Sequence, residues 1–193
     1  MARKAVERIV RDGHRAGDII VGLRQLARKS APHMDRLCID DIVPTVLDLL
    51  QGEFRRHGVI AKAQLGEGGI SILGDRTQLQ QVVLNLAMNA VEAMAGADVA
   101  PRRLLVRAEA RDGAAVVSVS DTGPGLGSED PDRLFEAFFS TKAAGIGMGL
   151  SICRSIIEAH GGTIWAANQR SRGSVFSFTL PLAEGYGTHD SHR

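Results

Sequence analysis

The sequence predicts an α+β fold: one long N-terminal helix, then a domain of ordinary size in which helices and short strands are interspersed along the chain. Three observations predict it. Apolar residues recur at helical spacing in several segments, most clearly in 75–94, where steps of about 100° gather Leu79, Val82, Val83, Leu86, Ala90 and Met94 on one side. Shorter segments, 59–65, 103–110 and 114–120, alternate instead with the period of two that half-buries a strand. Asp112-Gly113 falls between the last two, and that dipeptide suits the positive φ angles of a tight hairpin. A length of 193 residues, 44% hydrophobic and 23% charged, fits one domain with a short appendage.

In chain order, residues 3–29 read as a long helix with Val6, Ile9, Val10, Ile19, Ile20, Leu23 and Leu26 on an apolar seam. Gly13, Gly17 and Gly22 each weaken it by up to about 1 kcal/mol relative to Ala. The seam therefore calls for a second helix, as in a hairpin or a dimeric bundle. Ser30, Ala31 and Pro32 stop it, and the stretch to Asp40 is a connector or short strand. Asp40 or Asp41 is expected to cap a helix running to about His57 and burying Ile42, Val43, Val46, Leu47 and Leu50. A strand at 59–65, a turn at 66–69 and a second strand at 70–73 lead into the 75–94 helix. After the hairpin comes 121–147, rich in glycine at both ends and long for a connection, hence suspect as a functional lid. A helix at 148–160 is stopped by Gly161-Gly162, strands at 163–167 and 174–180 complete the sheet, and 184–193 reads as a disordered tail.

A formal net charge of +1 gives no field suited to general binding of nucleic acid or an acidic membrane. Cys38 and Cys153 are the two cysteines, without the spacing of a zinc site, so neither a disulfide framework nor a structural metal is indicated, and a reducing cytoplasm fits. No apolar run approaches the roughly 18 residues of a membrane span, and the polar start is no signal peptide.

Chemistry enters with a second stripe on the 75–94 helix: Gln81, Asn85, Asn89 and Glu92, with the two Asn one turn apart. A solvated face would more often carry Lys, Arg or Glu, which are better helix formers and need no partner, so the amides suggest a bound ligand or ion. Two glycine motifs follow. In Asp121–Leu126, DTGPGL, a carboxylate at a strand end can accept from an amine such as that of adenine, or the motif is simply a tight turn. In Gly145–Leu150, GIGMGL, backbone amides opening a helix can cradle phosphate, although the motif is neither a P-loop nor a Rossmann fingerprint. Between them Phe135, Phe138 and Phe139 hold half of the six Phe. They are either core or the pin of a closing lid, from which Lys142 would reach a phosphate.

Asn85 with Asn89, then DTGPGL, LFEAFFSTK and GIGMGLSICRSIIEAHGG resemble the N, G1, F and G2 boxes of the sensor histidine kinase catalytic domain, in that family's order and spacing. The resemblance runs from about Leu37 to Pro181, and 3–29 is similar to the second helix of the family's dimerisation and phosphotransfer hairpin. It implies domains at 1–31 (part of that hairpin) and 32–183 (catalytic, ATP-binding), with 184–193 as the tail. The implied fold is a two-layer α/β sandwich, a mixed sheet packed on helices, as in the gyrase, chaperone, kinase and mismatch-repair ATPases. The implied ligands are ATP and Mg²⁺. Asn89 would coordinate the Mg²⁺ with Asn85 assisting, Asp121 would read the adenine amino group, and Gly123 and Gly125 would shape the base pocket. Lys142 would contact phosphate, Gly145, Gly147 and Gly149 would hinge the lid and bind phosphate through their amides, and Phe138 and Leu150 would border the nucleotide.

Hydrolytic members of that superfamily carry Glu one turn before the metal-binding Asn, where this chain has Asn85. An amide takes no proton from water at neutral pH, so transfer to a protein nucleophile is favoured. The family's acceptor is a His followed by an acidic residue among apolar helix positions. His14 is followed by Arg15, and His189-Asp190 lies in the polar tail, so the acceptor is expected upstream and this chain is not expected to phosphorylate itself. Ala137 and Ile146 stand where the family often has Pro and Thr. The implied partners are a response regulator receiver domain and a second copy in a full-length homodimer. A regulatory nucleotide-binding module and a serine kinase of the same superfamily are the alternatives, the latter disfavoured by residues 3–29.

Overall fold

The computed structural model describes residues 33–66, 68–128, 130–139 and 147–183. The expected helix at 3–29, the tail at 184–193, and with them His14 and His189, lie outside those residues.

Strand β1 (Asp35–Cys38) pairs antiparallel with β3 (Ser71–Gly74) as a small two-stranded sheet. The main sheet has five strands in the order β2 (Val59–Leu65), β4 (Arg102–Arg111), β5 (Ala114–Asp121), β7 (Ser174–Pro181), β6 (Ile164–Asn168). Only β2 and β4 run parallel, so the sheet is mixed. Three helices lie on one face in sequence: α1 (Ile39–Leu49) over β2 and β4, α3 (Arg76–Ala95) over β4 and β5, and α4 (Gly149–Ala159) over β6 and β7. This is the expected two-layer sandwich.

Local patterns account for most of it. Leu79, Val82, Val83, Leu86, Ala90 and Met94, the expected face of α3, are all buried, with Ala87 and Val91 beside them. Each of the Leu, Val and Met side chains removed from water contributes roughly 1.5–3 kcal/mol before ordering costs, and the alanines less. Asp75 caps this helix, its Oδ1 accepting from the amides of Thr77 at 3.0 Å and Gln78 at 3.1 Å. At the hairpin, Asp112 (φ 51°) and Gly113 (φ 77°) both take the left-handed region that a two-residue turn requires. Gly161 (φ 72°) closes α4, and the amide of Gly162 reaches the carbonyl of Ile157 at 2.9 Å.

Two expectations fail here. The helix expected from Asp40 or Asp41 to His57 is two helices, α1 and α2 (Gln51–His57), divided at Leu50, whose φ of −87° and ψ of 1° leave the helical region. The break lets both Leu50 and Phe54 enter the core while Leu49 and Gln51 stay exposed. Neither Asp caps: α1 starts at Ile39, whose amide is satisfied by the carbonyl of Ile70 at 3.0 Å, and both acids sit inside the first turn, where the helix dipole favours them. Burial, and then the neighbouring Asp41 charge, raise the carboxyl of Asp40 above its ordinary range.

Cys153 is fully buried between α3 and α4, and burial pushes its thiol up to about 12 from its ordinary 9.0, against a smaller opposing pull from Asn85. An unfolded thiol ionises first, so this contribution to stability is intact below about pH 9 and is lost as pH rises from about 9 to about 12. At pH 8 a disulfide-exchange reagent is expected to titrate one thiol per folded chain, the half-buried Cys38, and the second only in denaturant. Two equally fast thiols in the folded protein would contradict this packing.

Candidate functional site

The amide stripe of α3 faces the seam with α4. Gln81, Asn85 and Asn89 are half-buried there, and Glu92 is exposed a turn further on. Nδ2 of Asn85 donates to the carbonyl of Gly149 at 3.4 Å and to Sγ of Cys153 at 3.7 Å, tying the stripe to the first turn of α4. The Asn89 amide, one turn later, hydrogen-bonds to no described residue. One turn beyond Asn89, Ala93 and Met94 lie against the glycine loop that follows β5: a Cβ on Gly123 would stand 3.5 Å from Cγ of Met94 and 3.7 Å from the backbone of Ala93. From Asn85 to Ala93 the helix rises about 12 Å. The result is a polar track with α4 at one end and Asp121 at the other.

Asp121 ends β5 and is 2% exposed. An isolated carboxylate so placed would be costly, and three donors meet it. Oδ1 accepts from the amide of Gly123 at 2.7 Å and, at 3.5 Å, from that of Ser174; Oδ2 accepts from the Ser174 hydroxyl at 2.5 Å. A Cβ on Gly123 would stand 2.7 Å from Oδ1, so the glycine gives the carboxylate its room. On the main-chain side, Nε2 of Gln169 bridges the carbonyls of Asp121 at 2.6 Å and Ser174 at 3.1 Å. Gly125 (φ 87°) packs against Oδ1 of Asn168, which accepts from the amide of Leu126 at 2.7 Å.

Sequence reasoning missed Asn168, Gln169, Gly173 and Ser174, which hold the Asp121 loop from the β6–β7 turn. Their signal was faint: polar residues and one glycine at two strand ends. Only the β5–β7 register, which pairs Ser120 with Val175, brings Ser174 beside Asp121.

The three Phe divide between the two readings left open. Phe135 ends a short 3-10 helix (Pro131–Phe135), is buried, and meets Phe176 edge-on at 6.3 Å and 74°. Phe139 is half-buried against the core under the guanidinium of Arg133. Phe138 is 74% exposed, with φ of 67°. Its amide donates to the carbonyl of Gly147 at 3.0 Å, and a Cβ on Gly147 would collide with the backbone of Phe138 and Phe139. The F and second glycine segments thus touch. Gly149 opens α4 with free space where a Cβ would be, and Leu150 is half-buried against the core. Lys142 and Gly145 lie outside the described residues, as does Ile146.

The family model described as "Histidine kinase-, DNA gyrase B-, and HSP90-like ATPase" matches residues 74–184, which hold the amide stripe, the Asp121 loop and α4. The chain belongs to this family. Among curated relatives, the sensor histidine kinase TmoS of Ectopseudomonas mendocina is 36% identical over 94% of this chain and 19% of its own length. The sensor protein FixL of Bradyrhizobium diazoefficiens is 40% identical over 93% of this chain and 35% of its own. The chain therefore spans between about a fifth and a third of these relatives. Among solved structures, histidine kinase ThkA in complex with the response regulator protein TrrA aligns with a TM-score of 0.79 at 27% identity, over 95% of this chain and 52% of that one. Full-length ShkA in complex with AMPPNP aligns at 0.74 and 29% identity, over 86% of this chain and 35% of that one.

Proposed function

We propose that this chain is the ATP-binding catalytic part of a two-component sensor histidine kinase, passing the γ-phosphate of ATP to a histidine carried by another segment of the full protein. The observation that carries this reading is the Asn85–Asn89 pair on α3. Asn85 is tied by its amide to Gly149 and Cys153, so the place of a water-activating carboxylate is filled by a group that cannot take a proton. The site can bind and orient a nucleotide while leaving water unactivated, which favours transfer to a protein nucleophile over hydrolysis.

In this reading the buried Asp121 accepts from the adenine amino group, Gly123 and Gly125 leave room for the base, and Phe138 and Leu150 border the nucleotide. Lys142 and the amides of Gly145, Gly147 and Gly149 serve the phosphates. Asn89 offers one half-buried amide oxygen to Mg²⁺, with Asn85 assisting, and among the described residues no cluster of acidic, His or Cys side chains competes for the ion. That donor set fits an ion bound mainly by water and nucleotide phosphate. When bound, Mg²⁺ would neutralise phosphate charge; the protein's own part is to position the nucleotide. Residues 32–183 form the catalytic unit and 1–31 belong to the dimerisation hairpin. The TrrA complex of ThkA supports a response regulator, met through its receiver domain, as the downstream partner; a homodimer is our proposal for the full assembly. No described helix is long and apolar enough to cross a membrane, and we place this unit in the cytoplasm.

Incubation with γ-labelled ATP and Mg²⁺, together with a helical hairpin bearing a His-Glu or His-Asp acceptor, is expected to put acid-labile phosphate on the hairpin histidine and none on this chain. Equal affinity for ATP and ADP with no label on the hairpin would instead identify a regulatory nucleotide-binding module. Label on a serine would point to the other kinase class.

A further inference from the structure

The sheet face opposite the helices carries a stripe of unused hydrogen-bond donors. Arg103, Leu105 and Arg107 project from β4 on that face, and the register sets Ser120 beside Leu105 and Ser118 beside Arg107, with Lys62 of β2 on the other side of Leu105. Together with Gln169 these β4 and β5 residues line a shallow depression of about 300 Å³. The Arg103 guanidinium and the hydroxyls of Ser118 and Ser120 hydrogen-bond to no described residue. Arg107 spends Nε and Nη2 on Oε1 of Gln64, at 3.3 and 3.0 Å, a neutral acceptor that leaves its charge uncompensated. Gln169 has its Nε2 committed to two carbonyls. Asp121 and Thr122 complete the lining, but the Asp121 side chain is 2% exposed and its oxygens hold Gly123 and Ser174, so little of its charge is presented here. Glu109, the next residue of β4 on this face, lies beyond Arg107.

The spacing selects the occupant. Arg103 and Arg107 are four strand residues apart, about 13 Å between Cα atoms, with Leu105 halfway. One small anion bridges such a span poorly, and an open depression encloses it poorly. An extended peptide presents every second side chain to the same side at the same interval. We propose that this face is a docking site for an extended acidic segment of a partner protein, with the pattern acid–x–apolar–x–acid: carboxylates on Arg103 and Arg107, the apolar residue on Leu105, and Ser118, Ser120 and Lys62 flanking. Paired guanidinium–carboxylate bonds give the contact its charge selectivity, and Arg is a residue type that interfaces favour.

The test uses the full 193-residue chain and a fluorescein-labelled peptide with the core Glu-Thr-Val-Thr-Glu, read by anisotropy. Saturable binding is expected, weakening with added salt and weakened about tenfold or more by Arg103→Glu and by Arg107→Glu, each with an unchanged melting temperature because both side chains are exposed. A peptide with Lys in place of both Glu is expected not to bind, and one with the two Glu adjacent to bind several-fold more weakly. The proposal is overturned by no saturation with the Glu peptide, by unchanged affinity in both charge reversals, or by equal binding of the adjacent-Glu peptide. Displacement at lower concentration by inorganic phosphate or a single-stranded oligonucleotide would overturn it in favour of a small-anion or nucleic-acid site.

Discussion

Asp121→Asn is expected to lower affinity for an ATP analogue by about ten- to a hundredfold while leaving a folded protein. The carboxylate is 2% exposed and already ordered by Gly123 and Ser174. Asn keeps an oxygen for the Gly123 amide, and the Ser174 hydroxyl can rotate to accept from the new NH₂ group, so the cost to the fold is about 1 kcal/mol. What disappears is the charge that a base amino group would meet, and hydrogen bonds to charged groups contribute about 1.5–3 kcal/mol. That range converts to the stated loss of affinity. Asp121→Ala goes further, because the Gly123 and Ser174 donors are left orphaned in the interior, at about 1–3 kcal/mol each. Titration with the analogue alongside thermal melts separates the two effects. If Asp121→Asn binds as wild type does, the carboxylate does not read the base.

Gly173→Ala is expected to be among the most damaging single-methyl additions. Gly173 has φ of 96°, a region that L residues rarely adopt, and its Cα faces the Asp121 backbone so closely that a Cβ would overlap the Asp121 carbonyl oxygen and stand 2.7 Å from its carbon. The obstacle is main chain in a paired strand and cannot swing aside. Overpacking and backbone strain together cost about 3–5 kcal/mol, a large share of the 5–15 kcal/mol typical of a domain. The melting temperature should fall by about 10 °C or more. Nucleotide affinity should fall with it, because any relief moves Asp121. A variant melting within two or three degrees of wild type would show that the β6–β7 turn yields more readily than its geometry implies.

Much of the fold was legible because its signals are local. The 59–65 strand, the Asp112-Gly113 hairpin and the apolar face of α3 each announce themselves within one or two turns of chain, and each lies where the periodicity set it. The break at Leu50 was not legible: the apolar spacing from Ile42 to Phe54 continues through it, and the need to bury both Leu50 and Phe54 arises from tertiary packing. The aromatic run at 135–139 has no period, so sequence could not separate buried Phe135 from exposed Phe138. At the site, Asn85, Asn89 and Asp121 stood out as unusual residue types for their positions. Ser174, Gln169 and Asn168 did not, since ordinary polar residues at a turn acquire a role only when strands distant in sequence pair.

The His160 imidazole has both nitrogens engaged in the interior: Nδ1 donates to the carbonyl of Ile156 at 2.7 Å and Nε2 accepts from the amide of Asp75 at 2.9 Å. The last turn of α4 is thereby fastened to the residue that starts α3, while Asn85 fastens the first turn of α4 to the middle of the same helix. Two helices more than fifty residues apart in sequence thus open and close as one cooperative unit rather than fraying separately. A substitution that loosens the end of α4 is consequently felt at the beginning of α3, ahead of Asn85 and Asn89.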